Sequence, residues 1–454
     1  MISFKGIEKP NLLYKFLYWY GTPALRFICY RKLQVVGREN IPKDKKEGFL
    51  IICNHQNGLL DAFTIIHSLY PREPVLLSRG DIFMKDSTAR LLRLLRMLPV
   101  FRVRDAGVEN LDKNQDTFDL CIKLMQDGVS VCLFPEAGHQ NHHYLGPFKK
   151  GFARMAFGYE QACDFTKDLK ILPLGHHYLG YTAIQNDALF TIGEPFTFEE
   201  LYDVYKEHPE RGLHLLTQKA RERVNSMVLN IEEKDNYQAV EQLCLMYVPV
   251  YEKKHHLRKS QIKNDLEARK AVNAKLKESD YGRESEPVAK LMADASKYLE
   301  NLKKLKLEDG VVERANPFSF AARTLLWIVL LPVFAITTII NFLPHRIARS
   351  MANKMKDPML RPSMKVGSGL ILFLVWYLII FAVVWIVFGK FWIALVTLLL
   401  LPATMWMYHT VRMLSHHLVS RIRKYWLKIH SDPTMNETQR LRRDIMSGLD
   451  LLMK

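Results

Sequence analysis

A histidine and an aspartate close together in the chain are the strongest candidates for chemistry. In CNHQNGLLDAF, residues 53–63, an apolar run leads into His55, an Asn-Gly turn follows, and Asp61 falls in the first turn of a predicted helix. An ionised Asp61 would hold the His55 imidazole in one tautomer and stabilise the imidazolium that forms. The other ring nitrogen can then take the proton of an alcohol that attacks a thioester, without a covalent enzyme intermediate. The alternative is a histidine on a turn and a helix N-terminal acid.

A carboxylate and a glycine follow another predicted strand. They lie in FPEAGH, residues 134–139, as Glu136 and Gly138. Parallel strands that end at the same sheet edge bring their following loops together, so both residues are expected in the cleft of His55. There Glu136 could bind a substrate hydroxyl or orient a basic partner.

Two arginines lie at the end of a further predicted strand. LPVFRVRD, residues 98–105, carries Arg102 and Arg104. The planar guanidinium matches two phosphate oxygens at once, so either arginine suits an anionic phosphate group. Surface salt bridges are the alternative for each.

The elements that must position these residues alternate between strand and helix. The short apolar runs that predict buried strands are residues 49–53, 74–78, 99–103, 129–134 and 170–174. Helical patterns, such as residues 88–97 and 110–127, lie between them. This alternation predicts an α/β fold in which helices flank a mostly parallel sheet.

Together these features resemble the glycerolipid acyltransferase family, typified by lysophosphatidate acyltransferases, over roughly residues 32–196. Its Asn-His motif with a spaced Asp is matched by Asn54, His55 and Asp61. Its Phe-Pro-Glu-Gly motif is matched by residues 134–136, FPE. The resemblance implies the acyltransferase-type fold, with a mostly parallel sheet flanked by helices.

Other parts of the resemblance imply substrate-binding residues. The family's Pro-Val-x-Arg pattern selects Arg102 as the phosphate ligand, with Arg104 as the second choice. Residues 171–175, ILPLG, match a strand with a central proline, and PFKKG, residues 147–151, resembles a Lys-Gly segment that opens a helix. Lys149 in that segment is therefore implied as substrate-binding.

The chain departs from the family pattern at two places. Five residues (56–60) separate the motif histidine from its aspartate, where the usual spacing is four. This spacing resembles a subgroup that includes fungal glycerol-3-phosphate and dihydroxyacetone-phosphate acyltransferases, which leaves the acceptor open. Ala137 stands between Glu136 and Gly138 and leaves open which backbone amide faces the substrate.

The resemblance implies a membrane-bound O-acyltransferase that makes phosphatidic acid for phospholipid synthesis. The acyl group would pass from a thioester, acyl-CoA or acyl carrier protein, to 1-acyl-glycerol-3-phosphate, with no cofactor besides this co-substrate. Glycerol 3-phosphate or dihydroxyacetone phosphate is the alternative acceptor. A noncatalytic membrane scaffold that binds lipid is a further alternative, from another class. It is disfavoured because the side chains expected to act are present: His55, Asp61, Arg102 and Glu136.

Charge and composition point to a membrane rather than to nucleic acid. The net charge of +17 suits either anionic partner, but no nucleic-acid recognition module is found and hydrophobic residues are unevenly spread. The six cysteines form no CxxC pair and are expected to be reduced core residues. No metal site is expected, because the clustered histidines lack a ligand spacing. They are His139, His142, His143, His176 and His177.

The chain divides into five predicted segments. They are an interfacial N-terminal segment (1–31), the catalytic domain (32–197), a charged helical region (198–318), a hydrophobic membrane domain (319–410) and a basic tail (411–454). The aromatic stretch 12–30 suits the headgroup level of a bilayer, and the alternative is a core helix.

Three hydrophobic runs predict an integral membrane protein with its catalytic domain on the cytoplasmic face. They are residues 324–343, 369–388 and 391–407. The linker 346–365 and the tail are both rich in Lys and Arg, which the positive-inside rule assigns to the cytoplasmic side. We therefore expect the last two runs to form a hairpin and the first to be re-entrant, bent at Pro332. Three ordinary spans are the alternative.

Overall fold

The first half of the chain forms a seven-stranded, mostly parallel sheet. This computed structural model describes residues 6–101, 113–136, 138, 142–180, 186–258, 261–313, 317–355 and 361–454. The strands are β1 (Tyr30–Val36), β2 (Leu50–Cys53), β3 (Val75–Arg79), β4 (Met97–Val100), β5 (Val131–Leu133), β6 (Ile171–Tyr178) and β7 (Asn186–Ile192). Their order is β1-β7-β6-β2-β5-β3-β4, and β6–β7 is the antiparallel pair.

The predicted α/β fold with a mostly parallel sheet is confirmed. Strands β2, β3, β5 and β6 overlap the predicted apolar runs, and β4 begins two residues before its predicted start. Strands β1 and β7, which pair in parallel, were not among the predictions.

Strand β2 shows why these runs are continuously apolar. Leu50 and Ile52 pack into the core on one face of the sheet, while Ile51 and Cys53 pack into the core on the other. Side chains alternate between the faces of a strand, so a strand covered on both faces needs an apolar residue at every position. All four residues of β2 are fully buried.

Helices cover both faces of the sheet. They are α1 (Leu12–Cys29), α2 (Leu59–Ser68), α3 (Asp86–Leu94), α4 (Lys113–Gln126), α5 (Gly151–Ala162), α6 (Tyr202–Glu207) and α7 (Pro209–Asn225). Residues of α2 and α3 join the core that contains Ile51, whereas residues of α4, α5 and α7 join the core that contains Leu50.

The chain separates into two compact units. One comprises residues 1–228 together with 355–366, and the other comprises residues 229–354 and 367–454. The second contains α8 (Tyr237–Lys254), α9 (Ile262–Glu278), α10 (Glu286–Leu305), α11 (Asp309–Glu313), α12 (Pro317–Asn353), α14 (Phe391–Ile429), α15 (Pro433–Leu452) and most of α13 (Arg361–Phe388). The finer segment borders drawn from the sequence stay predictions.

Three helices in the described part of the chain are long and apolar enough to cross a membrane, namely α12, α13 and α14. They contain the three predicted hydrophobic runs. Most of their large apolar side chains are exposed, including Ile339, Ile386 and Leu399. Exposed apolar surface on this scale is costly in water, so these helices mark a membrane protein.

Helix α12 differs from the re-entrant element predicted at Pro332. It runs without interruption through 37 residues and contains both Pro332 and Pro344. A proline inside a helix removes one backbone hydrogen bond and need not end the helix when neighbouring helices support it. The break at Pro332 that a re-entrant element requires is therefore not seen.

Candidate active site

The turn between β2 and α2 brings His55 and Asp61 together. His55 Nδ1 lies 2.8 Å from Asp61 Oδ2. Gly58 within the turn has φ 50° and ψ −123°, a conformation that residues with a Cβ rarely adopt. Asp61 is fully buried, whereas 19% of the His55 side chain is exposed. A partly exposed imidazole on a buried carboxylate has the arrangement that general-base catalysis requires.

Asp61 is held by more than the histidine. Its Oδ2 also accepts hydrogen bonds from the backbone N–H groups of Gln56, at 2.8 Å, and Asn57, at 2.9 Å. Its Oδ1 accepts one from the Tyr178 hydroxyl at 2.5 Å. Burial acts to raise the pKa of Asp61, but His176, His55 and the Asn57 amide outweigh it and bring this pKa well below its usual value. Asp61 is therefore ionised at neutral pH.

Asn54 ties the end of β2 to β6. Its side-chain amide donates to the His176 carbonyl at 3.0 Å, and its side-chain oxygen accepts from the His176 N–H at 2.7 Å. These two bonds continue the β2–β6 ladder by one residue beyond Cys53. The backbone that carries His55 is thereby fixed to the centre of the sheet.

Glu136 follows β5 and supports the same turn from the other side. Its Oε1 accepts a hydrogen bond from the His55 N–H at 2.7 Å, and its Oε2 accepts one from the Gly146 N–H at 2.8 Å. Burial raises the pKa of Glu136 to about 7, although both amides act to lower it. Its described hydrogen bonds are thus with backbone amides, one of which is that of His55.

The structure describes two of the other four predicted binding residues. Gly138 lies half-buried in the bend after Glu136. The Lys149 side chain is exposed ahead of α5, and the Lys149 N–H donates to the Pro135 carbonyl at 2.8 Å. Arg102 and Arg104 lie outside the described residues.

The sequence analysis missed Tyr178, which contacts the site, and Arg79, which lies at the same edge of the sheet. Tyr178 is the last residue of β6 and reaches Asp61. Arg79 is the last residue of β3, and its Nη2 lies 2.7 Å from Asp81 Oδ2. Strand β3 runs parallel to β5, so Arg79 lies at the sheet edge that also carries Glu136. Its position at a strand end was the available signal.

The histidine cluster forms no metal centre among the residues that the structure describes. The His143 and His177 rings are 5.0 Å apart between centroids. The described chain contains no group of three or more His, Cys, Asp or Glu side chains that could hold a metal ion. His139 lies outside it.

Part of the chain is similar to known proteins. Residues 32–176 match the family model described as Acyltransferase. Over 143 residues the chain is 29% identical to Glycerol-3-phosphate O-acyltransferase 2 of Saccharomyces cerevisiae, covering 31% of this chain and 19% of that protein. Over 166 residues it is 25% identical to the Probable 1-acyl-sn-glycerol-3-phosphate acyltransferase of Mycoplasma pneumoniae, covering 35% of this chain and 58% of that protein. The chain thus spans less than two thirds of the length of either relative.

A solved structure is also similar. It is the 1-acyl-sn-glycerophosphate (LPA) acyltransferase PlsC from Thermotoga maritima, at 19% identity and a TM-score of 0.32. The similarity covers 46% of this chain and 79% of that chain.

Proposed function

We propose that this protein transfers a fatty acyl group from a thioester to a glycerol-phosphate hydroxyl, since residues 32–176 match the acyltransferase family model. The observation that carries the proposal is the hydrogen bond of 2.8 Å between partly exposed His55 and buried Asp61. Such a pair supplies a base of fixed orientation at the end of the sheet.

The proposed reaction needs no covalent enzyme intermediate. Ionised Asp61 holds the Nδ1–H of His55, so that Nε2 accepts the proton of the acceptor hydroxyl. The hydroxyl oxygen attacks the thioester carbonyl, the carbon–sulfur bond breaks, and the departing thiolate takes the proton from the imidazolium. The products are an ester and a thiol, and His55 is neutral again.

The proposed acceptor is 1-acyl-glycerol-3-phosphate, which would give phosphatidic acid. We assign its phosphate to Arg102, with Arg104 as the second choice, and expect Gly138 and Lys149 to line the same cleft. Glycerol 3-phosphate is the second candidate, favoured by the similarity to the yeast glycerol-3-phosphate O-acyltransferase and by the five-residue His–Asp spacing. The donor is acyl-CoA or acyl carrier protein, and the catalytic domain faces the cytoplasm.

A substrate screen with the full chain tests the proposal. Labelled acyl-CoA or acyl carrier protein thioester is supplied with lysophosphatidate, glycerol 3-phosphate or dihydroxyacetone phosphate, each separately. We expect one acceptor to be esterified, and His55→Ala to abolish the product while the protein still inserts into membranes. His214→Ala, at an exposed histidine of α7, is the matched control.

Two outcomes would refute the proposal. Full turnover by His55→Ala would remove the proposed base. Failure of every thioester and acceptor pair, with lipid binding retained, would favour the noncatalytic lipid-binding scaffold.

A further inference from the structure

Tyr178, at the end of β6, makes a direct contact with the proposed catalytic pair. Its hydroxyl donates to Asp61 Oδ1 at 2.5 Å, and both side chains are almost completely buried. Asp61 and Tyr178 are 117 residues apart in the chain. They meet because β6 pairs in parallel with β2, the strand that leads into the His55 turn.

The Tyr178 ring is held between neighbours that leave it little freedom. Tyr30 stacks on it at 6.5 Å between centroids, and His176 stacks on it at 5.7 Å. The Tyr30 hydroxyl shares a hydrogen bond of 2.7 Å with Thr64 Oγ1 on α2, the helix that also carries Asp61. Strands β1 and β6 and helix α2 therefore set the position of the Tyr178 hydroxyl together.

Each oxygen of the Asp61 carboxylate has its own partners. Oδ2 binds the His55 ring and two backbone amides, whereas Oδ1 accepts the Tyr178 hydroxyl. Rotation of the carboxylate about its Cβ–Cγ bond would break both sets. Burial raises the pKa of Tyr178 well above its usual value, so its hydroxyl keeps the proton that it donates.

His176 is the other ring close to Asp61, but it does not replace this bond. Its Nδ1 lies 3.9 Å from Asp61 Oδ1, beyond hydrogen-bonding distance, and 3.1 Å from Cys53 Sγ. Burial lowers the pKa of His176, although the nearby Asp61 carboxylate acts to raise it. The hydroxyl of Tyr178 is thus the side-chain donor that fixes Oδ1.

We propose that Tyr178 is a positioning residue for the acyl transfer: its hydroxyl fixes the Asp61 carboxylate so that Oδ2 faces the His55 ring. The inference rests on the proposed function and adds to it a residue outside the segment that carries His55 and Asp61. Tyr178 does not touch the substrate in this role and acts only through Asp61.

Tyr178→Phe in the full-length protein tests the role, since it removes the hydroxyl and keeps the ring. Losing a hydrogen bond to a charged group should lower kcat roughly tenfold to a hundredfold, with KM for both substrates unchanged. Tyr202→Phe is the matched control, because it removes another buried tyrosine hydroxyl, bound to Asp168 Oδ1 at 3.3 Å. The control should keep its kcat.

A double-mutant cycle separates positioning from a general structural effect. If Tyr178 acts through Asp61, adding Tyr178→Phe to Asp61→Asn should cost little further activity. Losses that multiply, or an unchanged kcat in Tyr178→Phe, would overturn the inference. If Tyr178→Phe does not fold, Thr64→Val is the substitute, because it removes the hydroxyl that binds Tyr30. This variant should lower kcat without changing KM. An unchanged kcat in Thr64→Val would also overturn the inference.

The test distinguishes this inference from the proposed function. Full turnover by His55→Ala would refute the function, whatever Tyr178→Phe does. Loss of activity in His55→Ala with full activity in Tyr178→Phe would refute only the role of Tyr178.

Discussion

The protonation state of His55 sets the expected pH dependence of the reaction. Only the neutral imidazole accepts a proton, so the rate should be lower in acid than at neutral pH. The low pKa of Asp61 keeps that residue ionised at neutral pH. Steady-state rates at saturating thioester and acceptor between about pH 5 and 9 would measure the difference.

Asp61→Asn should reduce turnover by roughly a thousandfold or more, because the amide no longer favours the imidazolium or the required tautomer. The protein should keep its fold, as judged by its unfolding temperature. Asp86→Asn is the matched control, since Asp86 is also an acid in the first turn of a helix, α3. Near-normal turnover in Asp61→Asn would mean that Asp61, like Asp86, is only an acid at the N-terminus of a helix.

Glu136→Gln tests whether the two backbone contacts of Glu136 position His55. A glutamine offers one acceptor oxygen where the carboxylate offers two, so one amide loses its partner. Each hydrogen bond to a charged group contributes about 1.5–3 kcal/mol, so kcat should fall roughly tenfold or more. Glu160→Gln, at a buried glutamate that accepts the Leu169 N–H, is a control away from the site. Equal losses in both variants would contradict the assignment.

Because its pKa is raised, Glu136 should favour activity at high pH but stability at low pH. The ionised form, present above about pH 7, accepts both amides and should favour activity. A carboxyl whose pKa is raised on folding stabilises the fold most at low pH, and this contribution is lost as pH rises through about 7. Unfolding temperatures of the protein and of Glu136→Gln across this range would show the difference.

Arg102 should act on the acceptor and not on the thioester. Arg102→Ala removes a charge-assisted contact of about 1.5–3 kcal/mol, so KM for the acceptor should rise at least roughly tenfold while KM for the thioester hardly changes. Arg104→Ala is the comparison variant. A larger effect in Arg104→Ala, or equal effects on both substrates, would show that the choice of arginine is wrong.

Among the elements, the three apolar helices α12, α13 and α14 are joined by one buried amide. The Asn341 side chain of α12 donates to Thr404 Oγ1 at 3.0 Å on α14 and accepts from the Tyr377 hydroxyl at 3.1 Å on α13. The Trp376 indole N–H also donates to the Ile340 carbonyl at 2.8 Å. In hydrocarbon, where water cannot compete, polar contacts of this kind hold helices together.

Asn341→Leu should therefore loosen the packing of these helices. Buried hydrogen bonds between membrane helices contribute about 0.6 kcal/mol on average and up to about 1.7 kcal/mol. The unfolding temperature in detergent should fall accordingly, whereas Asn353→Leu, at an exposed position of the same helix, should leave it unchanged. Equal unfolding temperatures for both variants would argue against this role of Asn341.

For the whole molecule, the N-terminal end of α13 bears on membrane topology. Residues 361–366, at the start of α13, belong to the same compact unit as the catalytic residues. This end of α13 approaches the catalytic turn at Gly58, where an added Cβ would lie 2.6 Å from Ser363 Oγ. Because this part of the chain packs on the catalytic turn, we expect it to lie on the same side of the membrane as His55.

Cysteine labelling in sealed vesicles tests this topology. Arg361→Cys, at an exposed position of this end of α13, and Lys85→Cys, at an exposed position of the catalytic unit, should react with an impermeant maleimide from the same side. Such a result would mean that α12 enters the membrane without a net crossing, although it has no break at Pro332. Labelling of Arg361→Cys only from the opposite side would instead favour three ordinary spans.

Local patterns in the sequence determined the elements and the central pair. The buried strand β2 follows from an unbroken apolar run, and the apolar helices follow from run length. His55 and Asp61 are six residues apart, so one turn is enough to join them. Strands β1 and β7 were not predicted because their sequences, YRKLQVV and NDALFTI, mix polar and apolar residues. Both strands lie towards one edge of the sheet.

Tertiary structure alone decided how distant groups contact that pair. Tyr178 is 117 residues from Asp61, and Glu136 is 81 residues from His55. Their contacts depend on strand order, which placed β6 and β5 on either side of β2. Sequence periodicity reports which residues are buried, but it does not specify which strands become neighbours. The hydrogen bonds that hold the Asp61 carboxylate and the His55 backbone therefore came from the assembled sheet.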